Sequence, residues 1–163
     1  VDLTGWSLSN EDGKKGNLEN MATSTKIQAG EYLAVFRLKS KIVLLKRLEM
    51  GDTVGYGRQF EISEPTTMAI LPVGYSHGYP FSASHRGHCL WRGKRFPIIG
   101  RISMDYMAID LKDTNAQVGD EVTLIGENQG SVIAAEEVAA WAGTIPYEIV
   151  TQLSDHLPRL YSV

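Results

Sequence analysis

Short apolar or β-branched runs recur along this chain, and clusters of Gly, Pro, Asp or Asn separate them at intervals of roughly ten residues. Runs of this length between turn-forming residues are typical of β-strands. They are Tyr32–Phe36, Lys41–Leu45, Thr67–Leu71, Gly87–Trp91, Pro97–Ile102, Tyr106–Leu111 and Glu121–Ile125. The pattern predicts a mainly β domain, built as an antiparallel β-barrel or sandwich. Gly93-Lys94 is predicted to form a hairpin turn, and Val118–Asp120 another turn.

One segment departs from the strand pattern. From Ser131 to Trp141, apolar residues recur at helical spacing among alanines, and two adjacent glutamates add helix propensity. This predicts one short helix near 132–142, with Gly143 as its C-cap. Pro146–Val150 is predicted to be a short extended segment. Residues 1–36 are polar and rich in glycine, and we expect short strands and turns that join the β domain.

Composition narrows the class of protein without identifying it. The 163 residues are 43% hydrophobic and suffice for one domain with a hydrophobic core. A net charge of -3 gives no electrostatic basis for binding nucleic acid or an anionic membrane, and no apolar run is long enough to span a bilayer. The single cysteine, Cys89, excludes an internal disulfide framework, fits a reducing compartment and is predicted to be a structural thiol. The start lacks both an initiator Met and a signal peptide, so we expect a fragment or a processed chain.

Three glycine-flanked segments hold the candidate chemistry: Val54–Gly57, Pro72–Pro80 and Gly100–Asp105. Tyr56 and Tyr75 each follow a glycine, which leaves the phenol little side-chain cover. On the residues alone, an aromatic at a turn is the commoner interpretation of Tyr56, and a loop histidine in water is the commoner interpretation of His77. Arg101 beside a backbone N–H is suited to binding a carboxylate. No metal-ligand spacing, nucleophile elbow, phosphate loop or dinucleotide fingerprint occurs.

Taken in order and spacing, the motifs resemble the C-terminal domain of alanine racemase, from about Arg37 to Tyr161. The matching pieces are Leu38–Ile42, Val54–Gly57, Leu71–Tyr75, Ile99–Asp105, Gly119–Gly126, Tyr147–Ile149 and Leu157–Arg159. The resemblance divides the chain into an unmatched segment, 1–36, and an alanine racemase C-terminal-like β domain, 37–163. It implies an enzyme that uses pyridoxal phosphate to interconvert L- and D-alanine, which bacteria need for peptidoglycan. It also implies a location in the bacterial cytoplasm. In that family an N-terminal α/β barrel carries the cofactor on a lysine, and the C-terminal domain completes the partner's site in a homodimer.

The resemblance also implies roles for residues. Tyr56 would be the acid/base on one face of the substrate α-carbon, and the Met104 N–H would bind the substrate carboxylate. Tyr75, Arg101 and Asp105 would line the passage by which substrate reaches the cofactor. Asp155 would occupy the place of a tyrosine that touches the cofactor phosphate, which would widen the pocket and favour a substrate such as serine or lower the activity.

The chain has no room for a cofactor barrel of about 250 residues. We therefore expect a half-site domain, inactive until a barrel is supplied by another chain or by residues outside this sequence. Two alternatives stay open: a non-catalytic β-barrel binding module that retains the racemase fold, and a truncated or chimeric chain. Retention of Tyr56, Arg101, Met104 and Asp105 together favours the half-site hypothesis.

Overall fold

The computed structural model describes residues 36–161. Within that range the strands are β1 Leu38–Lys41, β2 Leu44–Leu48, β3 Thr53–Val54, β4 Phe60–Glu61, β5 Thr66–Leu71, β6 His88–Trp91, β7 Lys94–Ile99, β8 Met107–Asp110, β9 Glu121–Asn128 and β10 Ser131–Ile133. The helices are α1 Ala135–Ala142 and α2 Pro146–Thr151, and short 3₁₀ turns cover Tyr56–Arg58, Tyr75–His77 and Phe81–Ala83. None of these described helices is long and apolar enough to cross a membrane.

The main sheet is antiparallel, in the order β1-β9-β6-β7-β8-β5-β2, with β10 paired to β9. This confirms the predicted mainly β, antiparallel fold with a short helix. The sheet is not closed into a complete barrel by hydrogen bonds. Its two outer strands, β1 and β2, are instead consecutive in the chain and joined through Ile42 and Val43. β3 and β4 form a separate two-stranded hairpin.

Two apolar clusters hold the sheet together. The larger contains Leu71, Leu90 and Leu124, all fully buried, and packs against α1 through Val138. Cys89 is part of it and is fully buried, as predicted for a structural thiol. Burial raises the pKa of its thiol well above the usual value, so the sulfur stays protonated and unreactive.

The smaller cluster joins the two-stranded hairpin to the main sheet. It consists of Leu48, Val54, Ile62, Met68, Ile99 and Ala108, with Phe60 and Ile70 packed against it. These residues come from five different strands and the loop after β4. Burial of this cluster fixes the hairpin, and with it the 3₁₀ turn at Tyr56, over one face of the sheet.

The structure corrects two of the predicted element types. Ser131–Ile133, expected within the helix, is β10, because Gln129 and Gly130 both take positive φ and turn the chain back onto β9. The helix itself is confirmed from Ala135, and Gly143 caps it with a φ of 74°. Pro146–Val150 is helical and not extended, since the fixed φ of Pro146 suits the first helical turn.

Two predicted positions shift. Lys41–Leu45 straddles the break between β1 and β2 and is not one strand. The hairpin turn between β6 and β7 is made by Arg92 and Gly93, one residue earlier than predicted, with φ values of 47° and 72°. The turn at Val118–Asp120 is present, where the Asp120 N–H donates to the Gln117 carbonyl at 3.1 Å. The strand predicted at Tyr32–Phe36, apart from Phe36, lies outside the described residues, as does nearly all of the segment 1–36.

Candidate active site

Tyr56 lies on the connection between β3 and β4, above the smaller apolar cluster. Gly55 precedes it with a φ of 81°, and a Cβ at Gly55 would come 2.9 Å from the Arg101 backbone nitrogen. Only glycine permits both this backbone angle and this close approach. The segments Val54–Gly57 and Gly100–Asp105 are therefore held against each other, and this contact places Tyr56 beside Arg101.

An open cleft of about 350 Å³ lies beside this contact. Its lining includes Tyr56, Arg101, Ser103 and Tyr106, together with Lys46 and apolar side chains of the sheet. The Tyr56 side chain is 73% exposed. Among the described residues, neither the Tyr56 hydroxyl nor the Arg101 guanidinium has a hydrogen-bond or ion-pair partner. A phenol, a guanidinium and an ammonium group thus face one cleft, which suits an anionic or hydrogen-bonding ligand.

A second group of predicted residues meets on the other side of the Ser103–Tyr106 turn. The Tyr75 N–H donates to the Ser103 carbonyl at 3.1 Å, and the Ser76 N–H donates to the Met104 carbonyl at 2.9 Å. The Ser76 hydroxyl donates to the Asp105 carboxylate at 2.8 Å. Tyr75, Met104 and Asp105 are thereby brought together, although none of them lines the cleft that holds Tyr56 and Arg101.

Gly74 makes this second contact possible. A Cβ there would lie 2.2 Å from the Ser103 carbonyl oxygen, so no other residue fits without moving the backbone. The Ser103–Tyr106 turn is itself closed locally, because the Ser103 N–H and hydroxyl both donate to the Tyr106 carbonyl, at 2.8 and 2.9 Å. The side chains of Tyr75 and Met104 are each about half exposed, at 49% and 53%.

Asp155 lies on a third segment that contacts the Tyr75–His77 turn. The Ser154 N–H donates to the His77 carbonyl at 3.2 Å, and a Cβ at Gly78 would lie 2.1 Å from the Gln152 carbonyl oxygen. The Asp155 carboxylate is almost fully exposed and pairs with Arg159 at 3.0 Å. It does not line the cleft. A cation four residues away offsets its charge.

Two residues that line the cleft, Tyr106 and Lys46, are not among the predicted site residues. Tyr106 was assigned to the start of a strand, yet its side chain is 51% exposed and β8 begins only at Met107. The available signal was Ser103 three residues earlier, since a serine hydroxyl that bonds to nearby backbone favours a turn. Lys46, on β2, also borders the cleft.

His77 differs from the interpretation favoured on the residues alone. Its ring is half-buried, and Nδ1 accepts the Gly74 N–H at 3.2 Å and lies 3.1 Å from the Ser76 hydroxyl oxygen. Backbone contact, and not open water, therefore sets the orientation of the ring. Across the residues that the structure describes, no group of three or more His, Cys, Asp or Glu side chains could hold a metal ion.

Comparison with known proteins gives consistent matches. The profile of the family described as "Alanine racemase, C-terminal domain" matches residues 35–161. The alanine racemase of Geobacter sulfurreducens is 43% identical over 129 residues, which is 78% of this chain and 34% of that protein. Alanine racemase 1 of Clostridium acetobutylicum is 37% identical over 163 residues, covering 99% of this chain and 39% of that protein.

A solved structure agrees in fold. The alanine racemase of Bartonella henselae, crystallised with covalently bound pyridoxal phosphate, superposes with a TM-score of 0.73 at 34% identity. The match covers 79% of this chain and 35% of that one. The chain thus spans about a third of the length of the curated relatives that it matches.

Proposed function

The chain belongs to the alanine racemase family as a form of its C-terminal domain, and from this premise we propose that it supplies one wall of the active site of an amino-acid racemase. The substrate would be alanine or serine, and the cofactor pyridoxal phosphate. The carrying observation is the close contact between Val54–Gly57 and Gly100–Asp105, which brings Tyr56 and Arg101 to one open cleft, where neither polar group has a partner among the described residues.

These residues fit the substrate side of such a site. The Tyr56 hydroxyl and the Arg101 guanidinium lack partners among the described residues and border a cleft that is open to solvent. Polar groups left without partners at an open surface are available to a ligand. When bound opposite this wall, pyridoxal phosphate supplies an electron-withdrawing ring that acidifies the α-hydrogen of an amino acid. The lysine and phosphate contacts that hold it would come from the barrel domain.

In this proposal Tyr56 moves a proton at the substrate α-carbon. A racemase needs a proton acceptor on one face and a donor on the other, because the hydrogen must leave from one side and return on the opposite side. Arg101 and Lys46 line the same cleft and bring positive charge to the side of the site that holds the Tyr56 hydroxyl.

The remaining residues would bind and admit the substrate. The Met104 N–H would donate to the substrate carboxylate, while Tyr75, Arg101 and Asp105 would line the approach. Asp155 would stand near the cofactor phosphate, where an unpaired carboxylate would repel it. Its ion pair with Arg159 supports a weaker repulsion between the Asp155 carboxylate and the phosphate. The short side chain of Asp155 would also leave room for the hydroxymethyl group of serine.

The partner we propose is a cofactor-binding α/β barrel domain, within a homodimer that makes D-alanine for peptidoglycan in the bacterial cytoplasm. The match to about a third of the length of each relative supports a partner domain that supplies the rest of the active site. A site with only one wall cannot position the cofactor, so the chain alone would be inactive.

Solvent deuterium exchange at the α-position of L- and D-alanine and of L- and D-serine tests this proposal. The chain is assayed with pyridoxal phosphate, with and without an added barrel domain from a related racemase. We expect exchange only when chain and barrel are mixed. Faster exchange of serine than of alanine would indicate that Asp155 leaves room for the serine side chain.

The barrel domain without the chain, at the same cofactor concentration, is the control. Absence of exchange in every mixture would contradict a half-site role and would favour a non-catalytic binding module. Exchange by the chain and cofactor alone, at the rate of the mixture, would contradict the need for a barrel.

A further inference from the structure

The backbone at Met104 is oriented by the Tyr75–His77 turn. The Ser103 carbonyl accepts the Tyr75 N–H at 3.1 Å. In a trans peptide the C=O and the following N–H point in opposite directions. The N–H of Met104, which shares a peptide with that carbonyl, must therefore point away from the Tyr75 backbone. Within residues 36–161 it donates to no acceptor.

Ser76 holds the next peptide and the side chain beyond it. Its N–H donates to the Met104 carbonyl at 2.9 Å, and its hydroxyl donates to the Asp105 carboxylate at 2.8 Å. One residue thus makes two bonds to consecutive residues of the Ser103–Tyr106 turn. The bond to the carboxylate is charge-assisted and is the stronger kind.

The contacts of His77 indicate which acceptor receives the Ser76 hydroxyl proton. The Nδ1 atom of His77 accepts the Gly74 N–H at 3.2 Å. It lies 3.1 Å from the Ser76 oxygen, farther than the Asp105 carboxylate oxygen at 2.8 Å. The single hydroxyl proton of Ser76 is therefore directed to the Asp105 carboxylate, while the Nδ1 atom of His77 accepts the Gly74 N–H.

We propose that Ser76 is a positioning residue that holds the Met104–Asp105 backbone so that the Met104 N–H faces the substrate carboxylate. Ser76 itself does not touch the substrate. This inference rests on the proposed function, because the carboxylate role of Met104 comes from it. The hydrogen bonds of the turn, however, are properties of the chain itself and can be measured without catalysis.

The first test measures amide hydrogen exchange in the chain without a barrel. We expect Ser76→Ala to speed exchange at the amides of residues 75 and 76 about tenfold, because loss of a hydrogen bond to a charged group is worth about that factor. Ser76→Thr keeps the hydroxyl and should retain the original rates. Ser131→Ala is the matched control, since its hydroxyl donates to the Gly93 carbonyl on a different hairpin.

The second test measures racemisation kinetics with the barrel present. Ser76→Ala should raise KM for both enantiomers about five- to tenfold while kcat changes less than about twofold, as expected when ground-state and transition-state binding weaken equally. Ser76→Thr should restore KM. An unchanged KM, or a fall in kcat alone, would overturn the positioning role.

The two tests separate this inference from the proposed function. If the original chain gives no turnover with the barrel, the proposed function fails and the carboxylate role fails with it, whatever the exchange rates show. If the original chain is active but Ser76→Ala matches it in both amide exchange and KM, only the positioning role fails.

Discussion

At the residue scale, Tyr56 combines wide exposure with a fixed backbone. The φ of 81° at Gly55 and the burial of Val54 hold the turn in place, while the phenol itself is 73% exposed. A side chain on a rigid turn loses little further backbone freedom when a partner covers it. The chain therefore presents the phenol in a prepared position, as the proton-transfer role proposed for Tyr56 requires.

Replacing Tyr56 with Phe removes the hydroxyl and retains the ring. With a barrel present, we expect α-proton exchange of one enantiomer to fall by about a hundredfold or more, because one of two opposed acid/base groups is lost. Exchange of the other enantiomer should persist, since its proton faces the opposite base. Deuterium incorporation measured separately for L- and D-alanine distinguishes the two.

Tyr106→Phe provides a matched control for that experiment, because Tyr106 borders the same cleft and bonds to the turn only through its backbone. Equal loss of exchange for both enantiomers in Tyr56→Phe would rule out a two-base mechanism.

Sequence alone identified Tyr56, Arg101 and Met104 as candidates, but it could not group them. The contact between the Tyr56 and Arg101 segments depends on Gly55 lying against the backbone of a residue 46 positions later, where a Cβ at Gly55 would come 2.9 Å from the Arg101 nitrogen. No local pattern encodes such a contact. Lys46 was missed for the same reason, since one lysine in a basic run has no feature that distinguishes a cleft from open solvent.

At the element scale, the central strands were predictable because their apolar runs are buried on both faces or bounded by turns. β5 and β9 illustrate this, with most of their side chains buried. β10 was not, because the three residues Ser131–Ile133 suit a strand and the start of a helix equally well. The positive φ angles of Gln129 and Gly130 turn the chain back, so that β10 forms a hairpin with β9.

The close contact at Gly78 predicts a stability effect. Gly78→Ala should lower the free energy of unfolding by about 3 kcal/mol or more, since a Cβ would meet the Gln152 carbonyl at 2.1 Å in addition to the strain of a positive φ. Gly143→Ala shares a positive φ but has open space around it, and should cost only about 1 kcal/mol. Urea unfolding of both variants measures the difference. Equal losses would show that the backbone angle alone matters and that the two segments are not in contact.

At the scale of the whole molecule, exposed aromatic and apolar side chains gather around the candidate site. They are Tyr56, Tyr75, Phe81, Met104 and Tyr106, each exposed by about half or more. Tyr75 and Phe81 contact each other edge to face, with ring centroids 6.3 Å apart. Exposed apolar patches of this kind mark surfaces that other proteins cover.

We expect the isolated chain to self-associate through this surface. Its average mass in sedimentation equilibrium should rise with concentration, and an added barrel domain should suppress the rise by covering the same side chains. Met104→Gln should weaken self-association, whereas Val118→Gln, which changes an equally exposed apolar residue on a different loop, should not. A strictly monomeric chain would instead favour an independent binding module.

The junction of β1 and β2 has a consequence for biosynthesis. β2 pairs with β5, which follows soon after it, but β1 pairs with β9, so that Leu38 lies opposite Ile125. As the chain leaves the ribosome, β2 can find its neighbour early, while β1 must wait beside it, unpaired, until most of the domain has been translated. Pairings between such distant strands slow folding, because a long segment must be ordered before the contact forms. The β1 segment therefore stays without its pairing partner through most of the translation of the domain, and its unpaired backbone is open to other chains during that time.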